Sequence, residues 1–100
     1  MAGGAIYPWD RGSFWTQYGP GSTVIKPCSG RIGTMTILAA SSTACALYDS
    51  TTVGGIASGN QFFLTPATTV VGTIYVLDWP FVQGAVVTVG TAGLVAISWV

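Results

Sequence analysis

Residues 85–100 read AVVTVGTAGLVAISWV. Valine, isoleucine, threonine and aromatic residues suit a pleated strand, whereas clustered glycines break one. The stretch therefore predicts two strands, at residues 85–89 and 94–100, joined by the turn Gly90-Thr91-Ala92-Gly93.

The same pattern of short apolar runs, separated by Gly, Pro, Ser and Thr, extends back to residue 22. It predicts further strands at residues 22–26, 31–40, 44–49, 56–58, 61–64 and 70–78. In the strand at 70–78, Gly72 marks either a bulge or the true start of the strand. Pro80 is expected to stop the last of these because proline cannot donate to a strand ladder. No segment has a helical pattern. Residues 22–100 are therefore predicted to be all-β, either a small antiparallel β-sandwich or a jelly-roll-like barrel.

Residues 1–21 differ from the rest because they combine aromatic residues with Gly and Pro and follow neither strand nor helix periodicity. They are predicted to form an extended N-terminal arm. Aromatic side chains supply much of the binding energy of protein interfaces. The candidate partner-binding anchors are therefore Tyr7, Trp9, Phe14, Trp15 and Tyr18. Two other uses stay open: folding back onto the chain's own sandwich, and stacking on sugars.

Several predicted strands are apolar on both faces. Side chains alternate along a strand, so Tyr75 and Leu77 point to one side while Ile74 and Val76 point to the other. One side can cover a core, and the other must meet something, because an exposed apolar strand invites aggregation. Either loops or the arm cover that second side, or it is a subunit interface.

Charged residues make up 6% of the chain, with three basic and three acidic residues, no histidine and a formal net charge of zero. An ordinary soluble domain has about 25% charged residues. Clustered Lys and Arg for nucleic acid are missing, which argues against a nucleic-acid partner. The apolar excess favours a protein partner. We find no apolar run long enough for a membrane-spanning helix and no signal-peptide pattern, so no membrane partner is expected.

The same composition argues against an enzyme. Without histidine a Ser-His-Asp triad is impossible. Asp49 and Asp78 lie at the ends of predicted strands beside turns, where Asp commonly bonds the local backbone, although a glycosidase-like pair is conceivable. Cys28 and Cys45 are expected to be reduced and buried, with a single bridge as the alternative. No catalytic residue, cofactor site or metal site is predicted.

Several motifs carry a resemblance to a known family. The chain resembles small β-sandwich virion proteins of tailed bacteriophages in its opening strand GSTVIK (21–26), in ALYDS (46–50) with GGI (54–56), in YVLDWPFVQG (75–84), and in the closing strands. The likeness covers residues 21–100. The Trp-rich N-terminal segment is not part of that pattern, so the resemblance does not explain how the arm attaches.

The resemblance implies a structural virion protein, foremost a capsid decoration (cement) protein, or else a head-fibre base or another small head or tail component. Such a protein would bind across major capsid subunits on the capsid exterior, after assembly in the host cytoplasm. It would also form a homo-oligomer, with a trimer favoured. Two alternatives come from other classes: a carbohydrate- or receptor-binding module of a tail spike or fibre, and a membrane-active β protein.

Overall fold

The computed structural model of this chain describes residues 14–100. Within that range the chain forms eight strands and two short 3-10 turns, at Val53–Gly55 and Ser58–Asn60. The strands are β1 (Phe14–Tyr18), β2 (Gly21–Lys26), β3 (Gly30–Ala39), β4 (Ala46–Tyr48), β5 (Gln61–Leu64), β6 (Ile74–Phe81), β7 (Ala85–Val89) and β8 (Leu94–Trp99).

The strands form two four-stranded antiparallel sheets. The first sheet has the order β1-β8-β3-β6 and the second has the order β2-β7-β4-β5. Within the sheets β1 pairs with β8, β2 with β7, β3 with β6, and β4 with β5. This is the strand order of an eight-stranded jelly roll, in which successive strand pairs of one long folded hairpin lie alternately in the two sheets. The prediction of an all-β sandwich is confirmed.

The hydrophobic core lies between the two sheets. Met35 and Ile97 of the first sheet and Leu47 and Val87 of the second have no exposed surface. These residues alternate with outward-facing neighbours, as the period of a strand requires. Burying a side chain of this size contributes about 1.5–3 kcal/mol before the loss of chain entropy is counted. The core thus fixes which side of each strand faces inward.

Two aromatic pairs join β5 to β6, where the edges of the two sheets meet. The ring centroids of Phe63 and Tyr75 lie 5.1 Å apart in an edge-on arrangement. Phe62 stacks on Trp79 with centroids 6.3 Å apart. Pairs of this kind contribute about 0.5–1.5 kcal/mol beyond their buried area. They close this side of the sandwich, where the two edge strands belong to different sheets.

The predicted strand at 70–78 is displaced toward the C-terminus. β6 begins at Ile74, because residues 70–73 form a turn in which Gly72 has a φ of +92° and the Thr73 N–H donates to the Val70 carbonyl at 3.1 Å. Pro80 does not stop β6, which runs on to Phe81. Proline is tolerated here because β6 is an edge strand and needs no donor on its free side.

Two further predictions are corrected. Residues 56–58 do not form a strand, because they lie between and at the start of the two 3-10 turns. Only one of the two cysteines is buried: Cys45 lies in the core and Cys28 is exposed. The two thiols are free, so the alternative of a bridge is not observed.

The sandwich begins before residue 22. Phe14–Tyr18 forms β1, which pairs residue for residue with β8 from Phe14 opposite Trp99 to Tyr18 opposite Val95. The C-terminal part of the segment predicted to be an arm is therefore an edge strand of the first sheet. The remainder of that segment, residues 1–13, lies outside the described residues.

Candidate functional site

The structure describes three of the five predicted aromatic anchors, and all three lie in β1. Phe14 and Trp15 are 60% and 67% exposed, whereas Tyr18 is 8% exposed and belongs to the core. Tyr7 and Trp9 lie outside the described residues. Phe14, at the start of the strand, places its ring centroid 6.0 Å from that of Trp99. The strand therefore divides the aromatic cluster between the interior and the surface.

Tyr18 is a core residue in this subunit. Burial raises the pKa of its phenol, and a hydrogen bond with the Thr16 side chain opposes that rise. A buried side chain is not free to bind another subunit without unpacking its own core. Of the described anchors, Phe14 and Trp15 remain candidates for contact with a partner.

Strand alternation places Trp15 on the outer side of the first sheet, together with residues from the other three strands. Two rows of side chains run across this side. The first row contains Trp15, Ser98, Thr34 and Val76, and the second contains Gln17, Ala96, Thr36 and Ile74. Leu38 and Leu94 complete the surface, one position beyond the inward-facing Ile37 and Val95. We call these ten residues the outer face of the first sheet.

No residue of this outer face is charged. Its largest exposed side chains besides Trp15 are Ile74 and Val76, which are 61% and 58% exposed. The hydroxyls of Thr34 and Ser98 are already engaged, since Thr34 Oγ1 and Ser98 Oγ lie 2.9 Å apart and Ser98 Oγ also accepts from the Thr34 N–H at 2.8 Å. The face is therefore uncharged and exposes large apolar side chains, as in the core of a protein interface.

Among residues 14–100, an ion pair lies at one end of this sheet. Arg31 Nη1 is 3.3 Å from Asp78 Oδ1 and donates to the Asp78 carbonyl at 2.9 Å. Both side chains are about half exposed. Arg31 therefore contacts both the side chain and the backbone carbonyl of Asp78 at the surface. The backbone of Asp78 lies in the left-handed region, with a φ of +47°. Exposed ion pairs of this kind contribute about 1 kcal/mol or less.

Asp49 has a structural role that depends on distant residues. Its carboxylate accepts hydrogen bonds from the N–H groups of Val82, Gln83 and Gly84, at 3.0, 2.8 and 3.2 Å. Burial raises the pKa of this carboxyl, but the three backbone donors together outweigh burial and hold the pKa below its usual value. Both oxygens are thus committed to the turn between β6 and β7. Asp49 therefore stabilises a turn, but not through its own local backbone as expected: the turn is the one that the pairing of β4 with β7 brings beside it.

The outer side of the second sheet is partly covered. Residues 49–60 leave β4 and reach β2, with the Ser50 N–H donating to the Gly84 carbonyl at 3.2 Å on the way. Val86, on the outer side of β7, lies opposite Val24 and Tyr48 and has no exposed surface. The bare outer face of the first sheet has no such covering among residues 14–100.

Residues 14–100 contain no detected cavity and no group of three or more metal-ligating side chains. None of the helical segments in this range has the length and apolar character needed to cross a bilayer. The candidate site in the described residues is therefore a surface, built from one sheet face and the aromatic residues of β1.

The sequence contained part of the signal for this surface. Alternation in residues 73–77 predicted an apolar second side for β6, and the structure leaves Ile74 and Val76 exposed there. The contributions of Thr34, Thr36, Ala96 and Ser98 were not predicted, because only the pairing of β3 and β8 brings them beside Trp15 and Val76. No family model, curated protein or solved structure matches this chain.

Proposed function

We propose that this chain is a non-enzymatic structural protein of a virion, foremost a capsid decoration protein, that binds other virion subunits through the outer face of the first sheet. The observation that supports this most strongly is the uncharged outer face itself. Trp15, Ile74 and Val76 expose more than half of their surface on one side of the sandwich. Contiguous apolar surface of this kind marks a site of protein interaction.

The fold and the sequence resemblance support the same proposal from two other directions. The eight-stranded jelly roll is used by viral capsid proteins, although it also occurs in lectins. Fold alone does not assign function. Here the jelly roll is compatible with two of the candidate classes, a virion structural protein and a carbohydrate-binding module. The strand and turn motifs at residues 46–56 and 75–84 add the likeness to virion proteins of tailed phages.

The proposed mechanism is mechanical. A decoration protein stabilises a shell when its surface is buried against two neighbouring capsid subunits, because that contact must be lost before the shell opens. Full burial of one exposed Ile or Val side chain contributes about 1.5–3 kcal/mol of gross binding free energy. Lost rigid-body freedom and desolvation remove much of the total. Many copies bound around one shell would then add their small net contributions.

The direct test is co-sedimentation with phage heads. Heads assembled without this protein, from the phage whose genome encodes it, are incubated with the purified chain and pelleted. We expect saturable binding, loss of most of it with Val76→Lys, and no change with Leu64→Lys. The two variants are matched, because Val76 and Leu64 are 58% and 59% exposed and lie in edge strands of different sheets. Equal binding of both variants, or no binding of the wild type, contradicts the proposal.

One observation favours a second function, a carbohydrate- or receptor-binding module of a tail spike or fibre. Trp15 and Trp79 are both at least half exposed, and exposed indole rings can stack on sugars. A glycan array separates the two functions. Specific glycan binding that is lost in Trp15→Ala or Trp79→Ala, together with no binding to heads, would replace the decoration role with this one.

A further inference from the structure

Jelly rolls and other sandwiches have edge strands, whose free N–H and C=O groups can pair with another chain unless the edge is blunted. Within residues 14–100 the edge strands are β1 and β6 of the first sheet and β2 and β5 of the second. Charges, proline, bulges and short length are the usual ways of blunting such an edge. The four edges of this sandwich differ in how many of these features they carry.

Three of the edges are blunted. β6 contains Pro80, the positive-φ residue Asp78 and a register shift against β3. β2 contains Lys26 and a register shift against β7. β5 has only four residues and is followed by Pro66. Each of these features interrupts the even ladder that a pairing partner would need.

β1 has none of these features. Its five residues, FWTQY, include no charge, no proline and no glycine, and they pair with β8 without a register shift. Phe14 and Trp15 lie on this edge with 60% and 67% of their surface exposed. The edge is therefore regular, uncharged and flanked by aromatic side chains on both sides of the sheet.

We infer that β1 pairs antiparallel with β1 of a second copy of this chain, so that two first sheets join into one continuous sheet. Side chains directly opposite each other share a face of the sheet, so a register centred on Thr16 pairs every residue of β1. In this register Phe14 lies opposite Tyr18 of the second copy, Trp15 opposite Gln17, and Thr16 opposite Thr16.

Charge and side-chain type favour a second copy as the occupant. Twofold pairing of identical strands brings like charges together if the strand carries any, and β1 carries none. Aromatic-aromatic and Thr-Thr pairs directly opposite each other each contribute about 0.2–1 kcal/mol relative to alanine pairs. The register produces the Thr-Thr pair at its centre, whereas Phe14 lies opposite Tyr18, which stays packed in its own core.

The pairing also unites the binding surfaces of the two copies. Trp15 lies in the row that contains Ser98, Thr34 and Val76. A twofold axis perpendicular to the sheet keeps both outer faces on the same side, so the joined sheet presents one uncharged surface of twice the width. Because a five-residue strand pair alone buries less than the roughly 1,600 Å² of a standard interface, we expect a dimer that dissociates on dilution.

The inference goes beyond the proposed function, because its partner is another copy of the chain and not a capsid subunit. It also differs from the trimer that the family resemblance implies. A twofold contact uses the β1 edge of both copies and so closes at two. The dimer can form whether or not heads are bound, and head binding by Val76→Lys is a separate measurement.

The test is sedimentation equilibrium of the full-length chain over a wide concentration range, with two variants that place a positive or a negative charge at residue 16. The wild type is expected to move from the monomer mass to twice that mass. Thr16→Lys and Thr16→Glu should each raise the dissociation constant roughly tenfold or more, because two like charges are then carried by side chains whose Cβ atoms lie about 5 Å apart. An equimolar mixture of the two variants should recover the dimer as a heterodimer. The matched control, Thr23→Lys in the edge strand β2, should behave as the wild type.

Amide hydrogen exchange of the unmodified protein provides a measurement that needs no variant. The amides of β1 are expected to become more protected as the concentration rises, while those of the other first-sheet edge, β6, are unchanged. The inference is overturned by a monomer or a trimer at every concentration, by homodimers of Thr16→Lys as stable as those of the wild type, or by protection in β1 that is independent of concentration.

Discussion

The two sheets of this sandwich differ in what lies over their outer sides. Val86 in the second sheet and Val76 in the first both point away from the core, yet Val86 has no exposed surface and Val76 is 58% exposed. Residues 49–60 pass the start of β7 on their way from β4 to β2, and we infer that this connection covers Val86. An outward-facing valine can thus be buried or exposed, depending on where a connecting segment runs.

The comparison identifies which exposed apolar residues matter. On the second sheet the crossing connection covers outward apolar side chains with the chain's own backbone. On the first sheet the equivalent side chains stay uncovered among residues 14–100, and they share their face with no charge. The first sheet is therefore the side on which a partner can bury apolar area without displacing any described part of the subunit.

The largest expected effect comes from placing the same charge on both valines. Val86→Lys should destabilise the fold by more than about 4 kcal/mol, because it buries an ammonium group with no partner. Val76→Lys should cost less than about 1 kcal/mol, because the new side chain reaches water. Urea unfolding of the two variants followed by circular dichroism measures the difference. Similar free energies of unfolding would mean that residues 49–60 do not cover the second sheet.

The covering segment begins at Asp49, so removal of that carboxylate is the next largest effect. Asp49→Ala leaves the N–H groups of Val82, Gln83 and Gly84 without their acceptor. Hydrogen bonds to a charged group contribute about 1.5–3 kcal/mol, so we expect a loss of about 2–3 kcal/mol in the free energy of unfolding. Asp78→Asn is the control, and it should lose about 1 kcal/mol or less because it weakens only an exposed ion pair. Equal losses in the two variants would contradict the structural role of Asp49.

Stability should also depend on pH through Asp49. Its folded-state pKa is lowered, so the stabilisation is complete above the unfolded-state value of about 3.9 and is lost as pH falls through the folded-state value. In that window the unfolded chain binds the proton first, and acid favours unfolding. Thermal melts between pH 7 and pH 2 should show the midpoint falling below about pH 4. Asp49→Asn should flatten this fall, and an unchanged slope in that variant would assign the acid sensitivity to other carboxyls.

The smallest expected effect comes from a substitution on the outer face of the first sheet that lowers its hydrophobicity without changing the fold. Ile74→Thr keeps a β-branched side chain at an exposed strand position, so stability should change by about 0.5 kcal/mol or less. Retention on a hydrophobic-interaction column should nevertheless decrease, because Ile74 is one of the largest apolar groups on that face. Unchanged retention would show that another surface dominates the apolar character of the protein.

Much of the fold was predictable from local chemistry. The strands at residues 85–89 and 61–64 were predicted at their observed positions, because Gly, Asn and Pro mark their ends and β-branched or aromatic residues fill them. The observed strand β6 begins later than the predicted strand 70–78, because residues 70–73 form a turn around Gly72. It also ends later, because an edge position tolerates Pro80. Whether a strand lies at an edge depends on pairing, which local sequence does not contain.

Prediction of the candidate site was more limited. An aromatic cluster near the N-terminus was recognised, but its described members divide, with Tyr18 buried and Phe14 and Trp15 exposed. Strand period alone would have separated Trp15 from its two neighbours, once the segment was known to be a strand. It was not recognised as one, because its partner β8 lies at the other end of the chain and leaves no local signal.

Residue type and spacing are enough to predict the all-β class, the alternation of side chains between the two sides of each strand, and the low charge that leaves apolar surface for a partner. These properties are local to the chain. The fold was needed to show which outer side is covered, which strand is a regular edge within residues 14–100, and which residues from β1, β3, β6 and β8 form one face. Those outcomes depend on pairing between distant segments and on the route of one connection, and hydrophobic burial selects both only when the whole chain is folded.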